Sequence, residues 1–346
     1  MNINQKLLVK IKSYLDDYEC ELSEVKKLLC GRNQFEIRQQ NAVALVESIM
    51  SPHGKRHLFK HVYQLGQVEY TIRPILRRQR DHVVHALLSF ILGIYINEYF
   101  INSGAINRVD CFQWELAGLL HDIGYPIEIA NQAILSPFFK DANKTKSDLG
   151  FKNSLGLRIV PVGLDHLTNH KKSLDLIQQQ LNSWDLTINA RTEYKRSINS
   201  NNINHGIIGS LILLNLIDAM YQRYNRKRVY NDVTDNGIDW NQYYFEKDII
   251  PACTAIFLHN LPKTCFTQSK IEISKAPLAF LLKLADTLQE WERPSKDHPH
   301  GFPSSAFDIK IENHKLFLFA EIPEENKSKI RDEIAQSLAD PNVEIV

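Results

Sequence analysis

Charge of one sign is the first thing this sequence lacks. Lys and Arg number 41 and Asp and Glu 40, a formal net charge of +1 over 346 residues. Proteins that coat nucleic acid or lie on membrane surfaces draw affinity from a large basic excess. The balance here argues against both and leaves room only for a small basic pocket. Paired cysteine is missing as well. Cys20, Cys30, Cys111, Cys253 and Cys265 are odd in number and never spaced C-x-x-C. That is neither a disulfide framework nor a zinc ribbon, and the expected setting is a reducing cytoplasm. Long apolar runs are absent: the longest, Leu87 to Ile96, falls short of the ~20 residues of a membrane helix. The opening MNINQKLLVKIKSYLDD interrupts its apolar residues with Lys and Asp, unlike a signal peptide. A soluble protein is expected.

What is present is an ordinary globular composition, 44% hydrophobic and 23% charged, in a chain long enough to bury a sizeable core. Ile3, Leu7, Leu8, Ile11 and Leu15 form one face of a helix, and residues 3–50 read as helices broken near Gly31. Ser51-Pro52-His53-Gly54 is a turn signal. A long helix is expected over 79–102, and another from Asp110 through Trp114, Leu116 and Leu120, with Gly124 as its C-cap. Residues 137–204 and 222–246 are polar and read as insertions: a loop-rich lid or surface excursion with one helix near 165–181. Helices are expected again over 205–221, 247–260 and 276–291. The tail changes period. Phe307, Ile309 and Ile311 alternate, then Leu316, Leu318 and Ala320 after a turn at Asn313-His314. With a helix over 323–338 and a strand over 342–346, this reads as a ββαβ appendage. The fold class expected is mainly α with a small α+β tail. Its divisions are 1–70 (N-terminal helices), 71–295 (body) and 303–346 (appendage).

Histidine is abundant, at thirteen residues, and several fall on apolar helices. His82 and His85 open one, His121 is followed at once by Asp122, His205 opens a third within NHGIIGSLILL, and His259 ends a fourth within AIFLHN. Asp286 sits inside LLKLADTL, where an unpaired carboxylate is costly. Imidazole and carboxylate converging in a core are the ligands wanted by Zn, Fe, Mn or Ni. Each has a plainer alternative: His205 as a helix-start residue, His259 as a core histidine, His121 as a helix C-terminal charge.

The series His85, His121-Asp122, His205, His259, Asp286 resembles the HD superfamily of metal-dependent phosphohydrolases over roughly residues 75–293. The resemblance implies a helical bundle, with His85, His121, Asp122, His205, His259 and Asp286 as metal ligands. His85-Ala86 fits the pattern of the first ligand better than His82, which is left as a helper. The two intervening histidines imply two divalent metal ions (Fe, Mn, Zn, Ni or Mg) with Asp122 bridging them. The reaction implied is in-line attack of metal-activated hydroxide on a phosphoester or phosphoanhydride. A nucleotide or similar small phosphorylated molecule is the substrate class. Candidate catalytic groups are Asp122, Lys283 (three residues before Asp286) and His82. His166 and His170, spaced i and i+4, are further candidates if they share one helical face; a solvated surface pair is the plainer reading. Candidate substrate contacts are Arg77, Arg78 and Arg293, with Glu290 and Trp291 beside the last. Rival readings are a di-iron oxygenase, a non-catalytic nucleotide sensor, and a nuclease, the last disfavoured by the neutral charge. Association into a homo-oligomer is compatible with the sequence and not required by it. The letters Gly124-Tyr125-Pro126 after the His-Asp pair do not indicate cyclic dinucleotide cleavage, because that signature belongs to a separate downstream motif.

Overall fold

The structure is a computed structural model. It describes residues 3–15, 25–26, 28–29, 35–51, 55–72, 81–102, 109–130, 143–150, 162–168, 170–199, 203–227, 242–293, 298, 301–312, 315–339 and 342–346. Helices dominate it. α1 (Ile3–Leu15), α2 (Phe35–Met50) and α3 (Arg56–Ile72) precede α4 (His82–Asn102), α5 (Cys111–Leu120) and the short α6 (Tyr125–Ile129). Then come α7 (Ser173–Ser183), α8 (Ala190–Asn199), α9 (His205–Lys227) and α10 (Ile250–His259). The series continues with β1 (Ile271–Glu272) and α11 (Pro277–Leu288). α4 and α10 are apolar nearly all round, with Val83–Leu92 and Ala252–Leu258 buried. Helices of that kind belong inside a bundle, and both pack on α11.

Three side-chain caps fix the starts of helices that matter for the site. Asp81 Oδ1 accepts the Val84 N–H at 3.1 Å, Asp110 Oδ1 the Phe112 N–H at 2.8 Å, and Asn204 Oδ1 the Ile207 N–H at 3.1 Å. Each satisfies a first-turn amide that has no partner within its own helix.

The tail is the expected ββαβ unit. β2 (Phe307–Glu312) and β3 (Lys315–Ala320) are antiparallel, with Ile309 opposite Leu318. α12 (Glu324–Ser337) then leads through β4 (Leu338–Ala339) to β5 (Val343–Ile345), which pairs parallel with β3. β4 pairs parallel with β1 of the body. Phe307, Ile309, Leu316, Leu318, Ile330 and Ile334 join the main core.

α3 falls almost wholly within residues 1–70, read as N-terminal helices, with Leu58, Val62 and Leu65 buried at helical spacing. Three expectations need correction. The stretch 162–199 is not a loop-rich excursion: α7 packs on α10, and Leu174, Ile177, Leu181, Trp184, Leu186 and Ile188 enter the core. Its helix starts at Ser173 and not near 165. The preceding residues form a polar loop instead, in which the Leu174 N–H donates to Asp165 Oδ1 at 2.9 Å and Thr168 Oγ1 to Asp218 at 2.8 Å. Gly124 is not a left-handed C-cap: its φ is −79°, and His121 is the C-cap of α5. Residues 228–241, most of the second insertion, and the turns at 52–54 and 313–314 lie outside the described residues.

Candidate metal centre

Five of these helices, α4, α5, α9, α10 and α11, bring one or two polar groups each to a common point. His85 lies on the first turn of α4, His121 and Asp122 follow α5, His205 opens α9, His259 closes α10, and Asp286 lies on α11. Two triads of ligand atoms result: His85, His121 and Asp122, and Asp122, His205 and His259, with each triad's atoms within 4.8 Å of one another. Asp122 belongs to both. Its Oδ1 lies 3.1 Å from His205 Nε2 and 3.8 Å from His259 Nε2, and its Oδ2 lies 3.5 Å from His121 Nε2. Asp286 Oδ1 joins the first triad, 2.8 Å from His85 Nε2 and 3.9 Å from His121 Nε2. The structure therefore gathers all six sequence-predicted ligands.

All four rings turn the same edge inward. His121 Nδ1 donates to the Gly118 carbonyl at 3.0 Å and His259 Nδ1 to the Ile256 carbonyl at 2.6 Å. His205 Nδ1 is 2.6 Å from Glu128 Oε2, and His85 Nδ1 is bonded to Gln289 Oε1. An outer partner on one ring nitrogen fixes tautomer and orientation and presents the other to a metal. Two carbonyls need only the helix end that carries them. Glu128 and Gln289 were missed from the sequence, and the signal for each is modest: a polar residue six or three positions after a ligand.

The donor set fits divalent metal. His121 Nε2 and Asp122 Oδ2 are buried and have no hydrogen-bond partner, although buried polar atoms are nearly always paired. His205 and His259 bring Nε2 atoms to 3.2 Å, so at most one of them carries a proton. Burial disfavours charge on both. The carboxylates of Asp122 and Glu128 reverse this for His205, raising it to about 10, whereas His259 falls to about 4 through burial and its charged neighbours. Burial pushes Asp122 up, but His121, His205 and His259 outweigh it and hold the carboxyl well below the usual range. Asp286 is likewise held down, against burial, by His85 and Arg293.

Close backbone approach makes this convergence possible. A Cβ on Gly124 would stand 2.2 Å from the His205 carbonyl oxygen, and one on Gly206 would stand 2.9 Å from Cε1 of His259. The glycines of HDIG and NHG are therefore spacers that let the ligand-bearing segments touch.

The other candidates are placed as follows. His82 is buried one turn before His85. Its ring is stacked on Tyr125 with centroids 3.4 Å apart, and its Nδ1 lies 2.9 Å from Glu69 Oε1. Arg293 pairs with Glu290 at 3.2 Å, its buried Nε lacks a hydrogen-bond partner, and its charge is felt by Asp286 and His85. Lys283 is directed elsewhere: its Nζ donates to the His259 backbone carbonyl at 2.9 Å and to Glu333. His166 and His170 are exposed in a loop and not on a helix face, His170 having a φ of 65°. Arg77 and Arg78 lie outside the described residues. The described cysteines Cys111, Cys253 and Cys265 are free, and no helix among the described residues is long and apolar enough to cross a membrane.

Comparison with protein-family models, with curated proteins and with solved structures gives no match. The site's own geometry carries the assignment. Two clusters sharing one aspartate support binding of two divalent metal ions. A buried His/Asp centre of this kind is consistent with a metal-dependent hydrolase of phosphorylated substrates. The paired clusters His85–His121–Asp122 and Asp122–His205–His259 fit an HD-type binuclear metal site.

Proposed function

We propose that this chain is a cytoplasmic phosphohydrolase that cleaves a phosphoester or phosphoanhydride of a nucleotide or similar small molecule. The observation that carries the reading is Asp122, shared by two ligand triads whose imidazoles all present Nε2 inward. His85, His121, Asp286 and Asp122 would hold one cation, and Asp122, His205 and His259 the other. Bound there, the pair supplies a water of lowered pKa and positive charge for the phosphoryl oxygens. The body of the enzyme is 71–295, with 1–70 and 303–346 as flanking units.

The chain's own residues account for the rest. Asp122 stays ionised and shared. Glu128 and Gln289 hold His205 and His85 against rotation. Arg293, beside Asp286, offers a guanidinium for a substrate phosphate. Glu69, pushed up to about 8 by burial, accepts the His82 N–H and lies 2.9 Å from Nδ1 of His82, so it fixes that ring. His82, held in this way, is the residue assigned to protonate a leaving oxygen as its imidazolium.

Metal analysis of the purified chain, followed by a hydrolysis screen, tests the reading. The screen covers nucleoside mono-, di- and triphosphates and cyclic nucleotides with Mn²⁺, Mg²⁺, Fe²⁺ and Ni²⁺. Asp122→Ala is expected to lose both metals and activity together. Undiminished turnover by that variant refutes the proposal.

A further inference from the structure

Lys283 is buried on α11, 4% exposed, one turn before Asp286. The structure gives its ammonium two partners, the His259 carbonyl and the Glu333 carboxylate. Glu333 belongs to α12 of the C-terminal appendage, and Lys263 approaches its second oxygen at 3.7 Å. The His259 carbonyl lies in the last turn of α10, where carbonyls have no partner within the helix. A cation at that end also meets the negative pole of the helix. The next residue reaches the second triad through its backbone: the Asn260 carbonyl accepts from Asn204 Nδ2 at 2.6 Å, and Asn204 immediately precedes His205. One ammonium therefore fixes the turn from which both histidines of that triad are held. The appendage is well placed to deliver Glu333, since α12 packs on α11 and β4 pairs with β1.

We propose that Lys283 and Glu333 are a positioning pair, through which the C-terminal appendage sets the geometry of the Asp122–His205–His259 cluster and its affinity for a divalent cation. The inference rests on the two-metal reading above. Lys283 is thus a positioning residue and not a proton donor to the substrate.

The test is Mn²⁺ titration of the full-length chain, read by calorimetry and by the magnetic-coupling signature of a paired centre. Removing one partner leaves a buried charge, whereas removing both with apolar residues of similar size keeps the core neutral. The double variant Lys283→Met/Glu333→Leu is therefore expected to melt close to the parent. It should bind one Mn²⁺ with unchanged affinity and the second about 10–100-fold more weakly, with the coupling signature lost. Glu333→Gln, altered on the more exposed side of the pair, serves as a second variant and should weaken the same ion in the same direction. Two ions bound at parental affinity by either folded variant overturn the proposal. Equal weakening of both ions together with a lowered melting temperature also overturns it, because a purely structural role does that. A parent chain that binds no Mn²⁺ overturns the two-metal reading and this inference with it.

Discussion

Glu69 is a carboxyl with no water around it. Burial pushes it from an ordinary 4.5 up to about 8, although the His82 and Val83 N–H groups and Gln39 pull the other way. The folded state therefore holds a proton that the unfolded state releases above pH 4.5. Stability from this source is complete below 4.5, declines as pH rises, and is gone above about 8. Glu69→Gln keeps the shape and cannot titrate. Parent stability should fall relative to that variant by about 1 kcal/mol per pH unit between pH 5.5 and 7.5. Urea unfolding at those two values checks it, and a pH-independent difference counts against a proton on Glu69. The same substitution should leave metal content intact, because the side chain bonds His82 and Gln39, neither of which is a candidate ligand.

At the scale of elements, Gly206 decides how closely α9 lies on α10. Its missing side chain is occupied by the His259 ring and the Ile256 carbonyl, each 2.9 Å from where a Cβ would stand. The carbonyl cannot move without breaking α10, so Gly206→Ala must displace His259 or part the helices. The cost expected for such overpacking is about 1–3 kcal/mol. The sharper readout is local: one of two bound metals should weaken, since His85, His121 and Asp286 lie on other segments. Equal loss of both in calorimetric titration contradicts this assignment. The six candidate ligands were legible because their order resembles the HD series, and because His85, His259 and Asp286 are polar residues on apolar helices, where a charge needs a reason. Glu128 and Gln289 were not legible, because a polar residue in a short turn or after a helix end needs none. The core-forming role of α7 was hidden for a related reason. Leu174, Ile177 and Leu181 are three apolar positions in a polar stretch, too few to stand out against residues such as DANKTKSD before them. The strand pair β1–β4 is two residues long, below what alternation can reveal.

Across the whole molecule, the N-terminal helices reach the segment that follows the last ligand. Glu292 takes a left-handed φ of 56°, which costs a residue with a Cβ of order 1 kcal/mol or more and persists only where neighbours hold it. The holders are Arg38, 2.5 Å from Glu292 Oε2, Asn4, 3.3 Å from its Oε1, and the Phe302 carbonyl, which accepts the Glu292 N–H at 2.6 Å. Arg293 comes next in the chain, so its place beside Asp286 depends on a clamp built from α1 and α2. Releasing the clamp should disturb substrate and not metal. Arg38→Met preserves the aliphatic stem and removes the ion pair. Metal content and melting behaviour should stay near those of the parent, while KM for a phosphorylated substrate rises about tenfold, equivalent to about 1.4 kcal/mol of lost binding. Arg293→Met should raise KM at least as much, and the double variant should do little more than Arg293→Met alone, because both act on one contact. Fully additive effects would mean that Arg38 acts on the site by some route other than Arg293. A loss of metal in Arg38→Met would mean that the clamp supports Gln289 and His85 instead.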